Sequence, residues 1–503
     1  METNDLPGVI AVVLVSLATL AIGTWGLRLS RTTSDFFVAS RTVGPKLNAS
    51  AIGGEYLSAA SFLGVAGLLL TFGADMLWYP VGWTAGYLVL LVLVAAPLRR
   101  SGAYTLPDFA EARLASRRVR NVCSLFVVAV GWLYLLPQFE GAGITLAAAI
   151  DAPRWVGPLV VGLVVLVSVG SGGMRSITFV QAFQYWLKLT ALLLPAAVLL
   201  VVWAGDSVTG PGATRDGWSM PLADGGAQGL YTTYSLIIAT FLGTMGLPHV
   251  VVRFYTNPDG RAARRTTLVV LGLLGIFYVI PPVYAALGRA YGAVGADGGA
   301  ADTLVLDLPR LILPGLSGDI LTGLVTAGAF AAFLSTSSGL TIAISGVLTQ
   351  DVTGRRLPEV TAFRVATVIA VAVPLAATLA LPDIGVARTV GLAFAVAAST
   401  FCPLLVLGIW WRGLTDVGAV VGLLVGGAGS VAAATWTLFH ARTAEADRGW
   451  VDVLLTQPAA WSVPLAFASM VLASRLTAGR VPTHARRFMV RLHTPEAVEL
   501  DRS

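Results

Sequence analysis

The sequence has little charge. Asp, Glu, Lys and Arg make up only 12% of its 503 residues, whereas hydrophobic residues make up 56%. A soluble globular domain has roughly 25% charged residues, so this chain has too little polar surface to be soluble. The composition therefore predicts an all-α polytopic membrane protein that has the lipid bilayer, and no nucleic acid, as its partner.

Cysteine and histidine are also scarce. Two cysteines and four histidines exclude a disulfide framework and give no metal-ligand spacing, so no metal site is expected beyond a coupling ion. The absence of a GxxxxGK[ST] motif excludes direct coupling to ATP within this chain, and no organic cofactor is expected. An intramembrane hydrolase or acyltransferase would need a histidine or aspartate at membrane depth, and His249 is its one candidate. An enzyme is therefore not expected.

Long hydrophobic runs recur throughout the chain, each able to cross a hydrocarbon core of roughly 30 Å. The first run lacks a basic leader, so we interpret it as a retained span. The runs predict thirteen spans: 7–29, 47–72, 76–98, 122–150, 155–173, 177–203, 229–254, 267–291, 318–349, 360–381, 387–412, 416–439 and 457–478.

Basic residues follow the odd-numbered spans. Because Lys and Arg stay on the cytoplasmic side of short loops, this distribution places the N-terminus outside and the C-terminus inside a bacterial-type plasma membrane. The basic residues that carry this prediction are Arg28, Arg31, Arg41, Lys46, Arg99, Arg100, Arg113, Arg117, Arg118, Arg120, Arg253, Arg261, Arg264, Arg265, Arg355, Arg356, Arg480, Arg486, Arg487 and Arg491.

Two spans carry helix breakers at membrane depth. Span two contains "GGEYLS", residues 53–58, and span seven contains "GTMGLP", residues 243–248. Unwound backbone is tolerated in a membrane only beside a cavity or against protein. The two spans lie five apart and cross in opposite directions, as in an inverted repeat with a binding site at the midplane. Packing of small residues is the alternative interpretation.

Span nine contains four consecutive hydroxyl residues, Ser335 to Ser338. A single Ser or Thr usually bonds the carbonyl one turn earlier, but four exceed that need. A weakly held sodium ion requires several oxygen ligands, which hydroxyls and freed carbonyls can supply. Ser335 and Thr336 lie one turn after Ala332, so this face of span nine is a candidate cation site.

Span six carries Gln181, Gln184 and Lys188 at spacings of three and four, on one stripe of the helix. A central ammonium indicates either a transport pathway or a static ion pair, here with Glu55 or Glu140. In span four, Pro137 loosens the helix beside Gln138. His249 could titrate near neutral pH or serve as a packing residue.

Five motifs resemble the solute:sodium symporter family, and most closely its cation/acetate, or monocarboxylate, branch: "GGEYLSAASFLG", "YTLPDFAEARL", "GGMRSITFVQ", "GTMGLPHVVVRFYT" and "GLAFAVAAS". They run in order through residues 33–412. The resemblance implies thirteen helices, a leucine-transporter-like core of five plus five inverted helices, and alternating access. It also implies a sodium site formed by the carbonyls of Gly54, Leu57 and Ala332 and the hydroxyls of Ser335 and Thr336.

The resemblance also suggests residues that line the substrate pocket, which are Ser58, Gln138, Gln181, Gln184, Lys188, Gly243 and Gly246. Two positions depart from related carriers. Gln181 replaces an aspartate that sugar carriers link to a second sodium ion, which puts that ion in doubt. Tyr56, with Glu55 beside it, stands where proline carriers have an aspartate.

The sequence thus predicts sodium-coupled symport of a small monocarboxylate such as acetate, propionate or pyruvate by a protein that functions as a monomer. Symport of proline, a sugar or another anion, with sodium or protons, is the alternative, and sensing without transport is a third. The expected organisation is an extra helix at 1–32, repeats at 33–203 and 204–412, peripheral helices at 413–479 and a basic tail at 480–503.

Overall fold

The computed structural model describes residues 5–27, 41–206, 208, 218–222, 226–293, 301–353, 357–380, 385–440, 449–496 and 498. Arg28, Arg31, Arg355 and Arg356, which contributed to the predicted orientation, lie outside these residues. Within the described residues, eleven helices are long and apolar enough to cross a membrane. The protein is therefore all-helical and polytopic, as predicted.

Two of the long elements bend, and each supplies two spans. The segment Ala60–Arg100 turns at Gly73, where φ is 74°. The helix Val156–Gly205 is kinked at Gly173, where φ is 61° and ψ is −172°. Positive φ is accessible to glycine at little cost, which explains why glycine stands at both bends. Counting the two parts of each element separately gives the thirteen predicted spans.

The helices of the thirteen spans have the following bounds: Leu6–Leu27 in span one; Pro45–Tyr56 and Val65–Phe72 in span two; Trp78–Val89 and Ala95–Arg100 in span three; Arg117–Ile150 in span four; Val156–Gly205 in spans five and six; Gly226–Gly246 and Pro248–Val252 in span seven; Gly260–Tyr278 and Ile280–Ala290 in span eight; Leu316–Leu348 in span nine; Glu359–Ala380 in span ten; Val386–Trp410 in span eleven; Asp416–Phe439 in span twelve; and Ala459–Leu476 in span thirteen.

Spans two and seven are broken where the sequence predicts. The first helix of span two ends at Tyr56, and Leu57 leaves the helical region with ψ of 86°; a π-helical turn, Ala60–Gly64, then leads into the second half. In span seven, Leu247 is extended with ψ of 116°, and Pro248 begins the next helical segment. Proline lacks an N–H and fixes φ, so it starts a helix readily and weakens the continuation of the helix before it.

Span nine lies at the centre of the molecule. Residues Thr326 to Ile342 are all buried, and span nine packs against spans one, two, four and six. Span eleven packs against span seven. Because the broken part of span two and the hydroxyl run of span nine lie in the same core, polar groups of these elements can meet away from lipid.

Charged side chains tie several elements together on the face that carries the arginines, called here the basic face. Arg120 of span four donates to Asp108 at 2.7 Å, to Glu111 at 2.8 Å and, through Nε, to Asp351 at 2.7 Å just after span nine. The helix Ala485–His493 after span thirteen packs beneath span three. There Arg100 Nε donates to Glu496 Oε2 at 3.3 Å.

Candidate functional site

All five residues of the predicted cation site lie together where span two meets span nine. Ser335 Oγ lies 2.6 Å from the carbonyl oxygen of Gly54 and 3.0 Å from that of Ala332, and its one hydrogen is donated to one of the two or shared between them. Thr336 Oγ1 donates to the carbonyl oxygen of Glu55 at 2.6 Å. The break after Tyr56 leaves the carbonyls of Gly54 and Glu55 without a regular helical partner, so the hydroxyls of span nine bond to them.

The cation held by these oxygens is the ammonium of Lys188. Its Nζ donates to the carbonyl of Gly54, to the carbonyl of Leu57 at 2.7 Å and to Ser335 Oγ at 2.6 Å. Lys188 is completely buried, and an ammonium has three N–H donors, so these three acceptors satisfy it fully. Lys188, which the sequence assigns to the substrate pocket, therefore lies among the predicted sodium ligands.

The oxygen atoms suit a sodium ion, but the lysine leaves no room for one. Neutral carbonyl and hydroxyl oxygens are the ligands that a hard cation takes. Three of them are already bonded to Lys188 Nζ, and a sodium ion held by the same atoms would touch the ammonium and be repelled by it. The residues therefore do not fit a sodium ion together with the lysine.

Glu55 pairs with Arg253 of span seven and not, as one interpretation of the sequence suggested, with Lys188. Arg253 Nε donates to Glu55 Oε2 at 2.6 Å, its NH1 donates to Thr178 Oγ1 at 2.9 Å, and its NH2 donates to Gln181 Oε1. Gln181 Nε2 donates in turn to the carbonyl of Ser335 at 2.9 Å. This network joins spans two, six, seven and nine.

Sequence reasoning counted Arg253 only as a residue of the basic loop. It lies in fact at 1% exposure, just after the helical segment that Pro248 begins. Its signal was a lone arginine in the apolar stretch "PHVVVRFY", since a cation at that depth requires a partner.

Gln138 of span four stabilises the break in span two. Its Oε1 accepts the backbone N–H of Ala59 at 3.0 Å, and its Nε2 donates to the carbonyl of Tyr134 at 3.2 Å. Tyr134 donates through its hydroxyl to Ser58 Oγ at 3.3 Å. Gln138 and Ser58, both predicted to line the substrate pocket, thus lie where span two resumes.

Five aromatic side chains surround this break and form what we call the aromatic chamber. Neighbouring ring centroids lie 4.8 Å apart for Tyr56 and Tyr87, and 5.7 and 5.8 Å apart for Phe394 with Trp83 and Tyr134. Tyr56 OH is bonded to Thr244 Oγ1 at 2.7 Å. In contrast, Trp83 Nε1 and Tyr87 OH are buried without a hydrogen-bond partner among the described residues.

The chamber tryptophan and its partner tyrosine were missed in the sequence. Trp83 and Tyr87 lie four residues apart on span three, and that spacing puts both on one helix face. Two polar aromatics on the same buried face were the signal. His249 lies against Tyr134, with ring centroids 5.3 Å apart, and neither ring nitrogen has a hydrogen-bond partner among the described residues.

Gln184, Gly243 and Gly246, the remaining predicted pocket residues, contact spans one and eleven. Gln184 Nε2 donates to Thr19 Oγ1 of span one at 3.0 Å. A Cβ added to Gly243 would meet the carbonyl oxygen of Phe394 at 2.4 Å, and one added to Gly246 would meet that of Ala397 at 2.3 Å. These two glycines therefore allow span seven to pack closely against span eleven, and their contact with a substrate stays a prediction.

Solved structures resemble this fold along almost the whole chain. A Na⁺-coupled sialic acid symporter in a substrate-bound outward-open state aligns with a TM-score of 0.68 at 16% identity, over 94% of this chain and 98% of that chain. MhsT in complex with L-phenylalanine aligns with a TM-score of 0.55 at 16% identity, over 86% and 98%. These likenesses confirm the predicted leucine-transporter-like fold and, at such low identity, the fold alone.

The sequence comparisons identify the family. The uncharacterized symporter YwcA of Bacillus subtilis (strain 168) is 31% identical over 433 residues, which are 81% of this chain and 82% of the relative. Residues 36–426 match the sodium:solute symporter family. The chain therefore belongs to the sodium:solute symporter family, whose members are sodium-coupled solute transporters and not enzymes.

Proposed function

We propose that this protein carries a small monocarboxylate, such as acetate, propionate or pyruvate, across the plasma membrane of a bacterial-type cell by alternating access. Membership in the sodium:solute symporter family supports solute transport. The observation that carries the choice of solute is the pair of unpartnered donors, Trp83 Nε1 and Tyr87 OH, in the aromatic chamber.

A carboxylate matches these donors. It accepts hydrogen bonds and donates none when ionised, and a bond between a neutral donor and a charged acceptor is stronger than one between neutral groups. Buried donors without a partner are costly, so a ligand that satisfies two of them gains affinity. The rings of the chamber are in contact with one another, with centroids 4.8 to 6.2 Å apart, so they must separate to admit a solute, and a small solute requires the smallest separation.

The charge around the break also favours an anion. The hydrogen-bonded network described above contains two basic side chains, Lys188 and Arg253, and one acidic side chain, Glu55. A monocarboxylate bound near the break would balance the second basic side chain. A zwitterionic amino acid or a neutral sugar would not, and this difference separates the proposed solute from the alternatives.

The chamber is closed on both sides. Tyr56, Trp83, Tyr87, Tyr134 and Phe394 are each at most 1% exposed, so the solute can enter or leave only if helices move apart. The breaks at Leu57 and Leu247 are the positions where the halves of spans two and seven can change angle. Gln138 keeps the Ala59 N–H bonded while span two remains unwound.

The family implies sodium as the coupling ion. We assign no transport step to a sodium ion at the predicted site, because Lys188 Nζ donates to three of its oxygens.

The experiment that tests the solute is uptake by purified protein in proteoliposomes. Radiolabelled acetate, propionate and pyruvate are compared with proline and galactose, and protein-free liposomes serve as the control because small acids can cross lipid unaided. We expect saturable uptake of at least one monocarboxylate. Uptake of proline or galactose alone would reject the monocarboxylate.

A further inference from the structure

We propose that the ammonium of Lys188 permanently replaces the sodium ion at the junction of spans two and nine, so that this site does not bind sodium in the wild-type protein. The three acceptors of Nζ are two carbonyls freed by the break in span two and one hydroxyl of span nine. Those are three of the five oxygens expected to hold the ion. The lysine thus performs, from span six, the cross-linking that a bound cation would provide.

The hydrogen bonds around Lys188 Nζ are complete without a sodium ion. The three N–H groups of the ammonium match three acceptors, and the one hydrogen of Ser335 Oγ is taken up by the carbonyls of Gly54 and Ala332, which lie 2.6 and 3.0 Å away. Thr336 Oγ1 bonds the carbonyl of Glu55 and so also links span nine to span two. Because every one of these groups already has a partner, sodium binding would break existing hydrogen bonds and could not fill a vacancy.

Lys188 also has no alternative location. It is completely buried and lies well inside the helix Val156–Gly205, too deep for its side chain to reach either membrane surface. The nearby carboxylate, Glu55, is already bonded to Arg253. A sodium ion could enter only by driving the ammonium into apolar surroundings, where an unpaired charge is very unfavourable.

Removal of the lysine side chain should restore a sodium site. Lys188→Ala leaves the oxygens of Gly54, Leu57 and Ser335 facing an empty, uncharged space of the size the ammonium occupied. The variant should then need a cation to hold spans two and nine together. Lys188→Ser adds a hydroxyl ligand and serves as the second variant if the alanine variant does not fold.

The first measurement is thermal unfolding of the purified protein in detergent, in sodium chloride against the chloride of N-methyl-D-glucamine at equal ionic strength. Ligand binding to the folded state raises the midpoint, here by on the order of 3 °C at saturating sodium for the Lys188 variants. Wild-type protein and Leu193→Ala, a lipid-facing change on the same helix with Leu193 49% exposed, should show no such rise. A sodium-induced rise in wild-type protein that Ser335→Ala abolishes would overturn the proposal.

The second measurement is acetate uptake into proteoliposomes, and it alone rests on the proposed function. Because no sodium ion occupies this site, the sodium concentration that gives half-maximal uptake should differ less than twofold between wild-type protein and Ser335→Ala, whereas Lys188→Ala should acquire an additional sodium dependence that Ser335→Ala combined with Lys188→Ala removes. A rise of tenfold or more in the sodium concentration that the single variant Ser335→Ala needs would again contradict the inference. If no solute is transported by any variant, the proposed function fails, while the unfolding measurement still decides whether Lys188 occupies the site.

Discussion

Glu55 and Arg253 form an ion pair in the core of the protein, with Arg253 Nε 2.6 Å from Glu55 Oε2 and side-chain exposures of 1% for the arginine and 2% for the glutamate. The pair joins the first half of span two to the second half of span seven. Both halves end beside a break, so the pair fixes the two broken spans to each other at the level of the proposed binding site.

Removal of one partner of this pair should be strongly destabilising. Glu55→Gln leaves the Arg253 guanidinium buried without its carboxylate, and Arg253→Met leaves the Glu55 carboxylate buried without its donor. Either change should lower the free energy of unfolding by about 3–5 kcal/mol. The double change Glu55→Leu with Arg253→Leu should recover much of the loss, because it removes both charges. Thermal unfolding in detergent measures the effect.

The control for this prediction is the pair of Arg480 and Asp416, 2.8 Å apart, in which the arginine is 56% exposed. Exposed pairs contribute little, so Arg480→Ala should leave the unfolding midpoint almost unchanged. Equal midpoint losses in Arg480→Ala and Glu55→Gln would contradict the assignment of a structural role to the buried pair.

The two unpartnered donors of the chamber should affect solute affinity and not stability. Trp83→Phe and Tyr87→Phe each remove one donor that the described residues leave unbonded. Loss of a hydrogen bond to a charged group costs roughly 1.5–3 kcal/mol, so KM for acetate should rise about 10- to 100-fold. Initial rates of uptake over a range of acetate concentrations provide the measurement.

Tyr284→Phe is the matched control, because Tyr284 OH donates to the carbonyl of Leu192 at 3.0 Å outside the chamber. It should lower the unfolding midpoint and leave KM unchanged. An unchanged KM in both Trp83→Phe and Tyr87→Phe would show that these donors do not bind the solute.

Substitution of Gln138 in span four and of Gln184 in span six should have different effects on stability and uptake. Gln138→Leu leaves the Ala59 N–H, now 3.0 Å from Gln138 Oε1, without its acceptor and should reduce both stability, by about 1–3 kcal/mol, and the rate of uptake. Gln184→Leu loses only the bond to Thr19 in span one, so it should weaken stability and leave KM for the solute unchanged. A large rise of KM in Gln184→Leu would indicate instead that Gln184 contacts the solute.

Close packing of span seven against span eleven makes Gly243 and Gly246 sensitive to added volume. Gly243→Ala and Gly246→Ala each place a Cβ within 2.4 Å of a carbonyl oxygen of span eleven, and such overpacking costs roughly 1–3 kcal/mol. Gly272→Ala is the control, since no atom lies within 4 Å of the added Cβ, and it should be neutral or slightly stabilising. Comparable unfolding midpoints for all three variants would exclude tight packing at this contact.

Much of this architecture could be predicted from the sequence because its causes are local. Hydrophobic runs reveal the spans, and Gly53, Gly54 and Pro248 reveal the breaks. The meeting of Ser335 with Gly54 followed from the family resemblance, since hydroxyl runs alone do not say which helix they face. The predicted orientation of the termini and the boundaries of the repeats stay predictions.

The sequence did not predict which neighbouring span each long polar side chain of span six would bond. Gln181, Gln184 and Lys188 are spaced as on one stripe, but residues on a helix are separated by about 100°, so Gln184 lies roughly 60° from Gln181 while Lys188 returns to within about 20° of it. That difference turns Gln184 towards span one and the other two towards Ser335 of span nine. Which acceptor Lys188 reaches then depends on where span two unwinds, and that is a tertiary property.

The contacts of Arg120 with Asp108, Glu111 and Asp351 have a mechanical consequence. Asp351 joins the start of span four to the end of span nine on the basic face, and Asp108 and Glu111 join the same arginine to the helix Leu106–Leu114 between spans three and four. We therefore expect spans four and nine to move together as one rigid body when the protein changes conformation. We expect the bending to fall on the unwound segments at Leu57 and Leu247, which would then act as hinges.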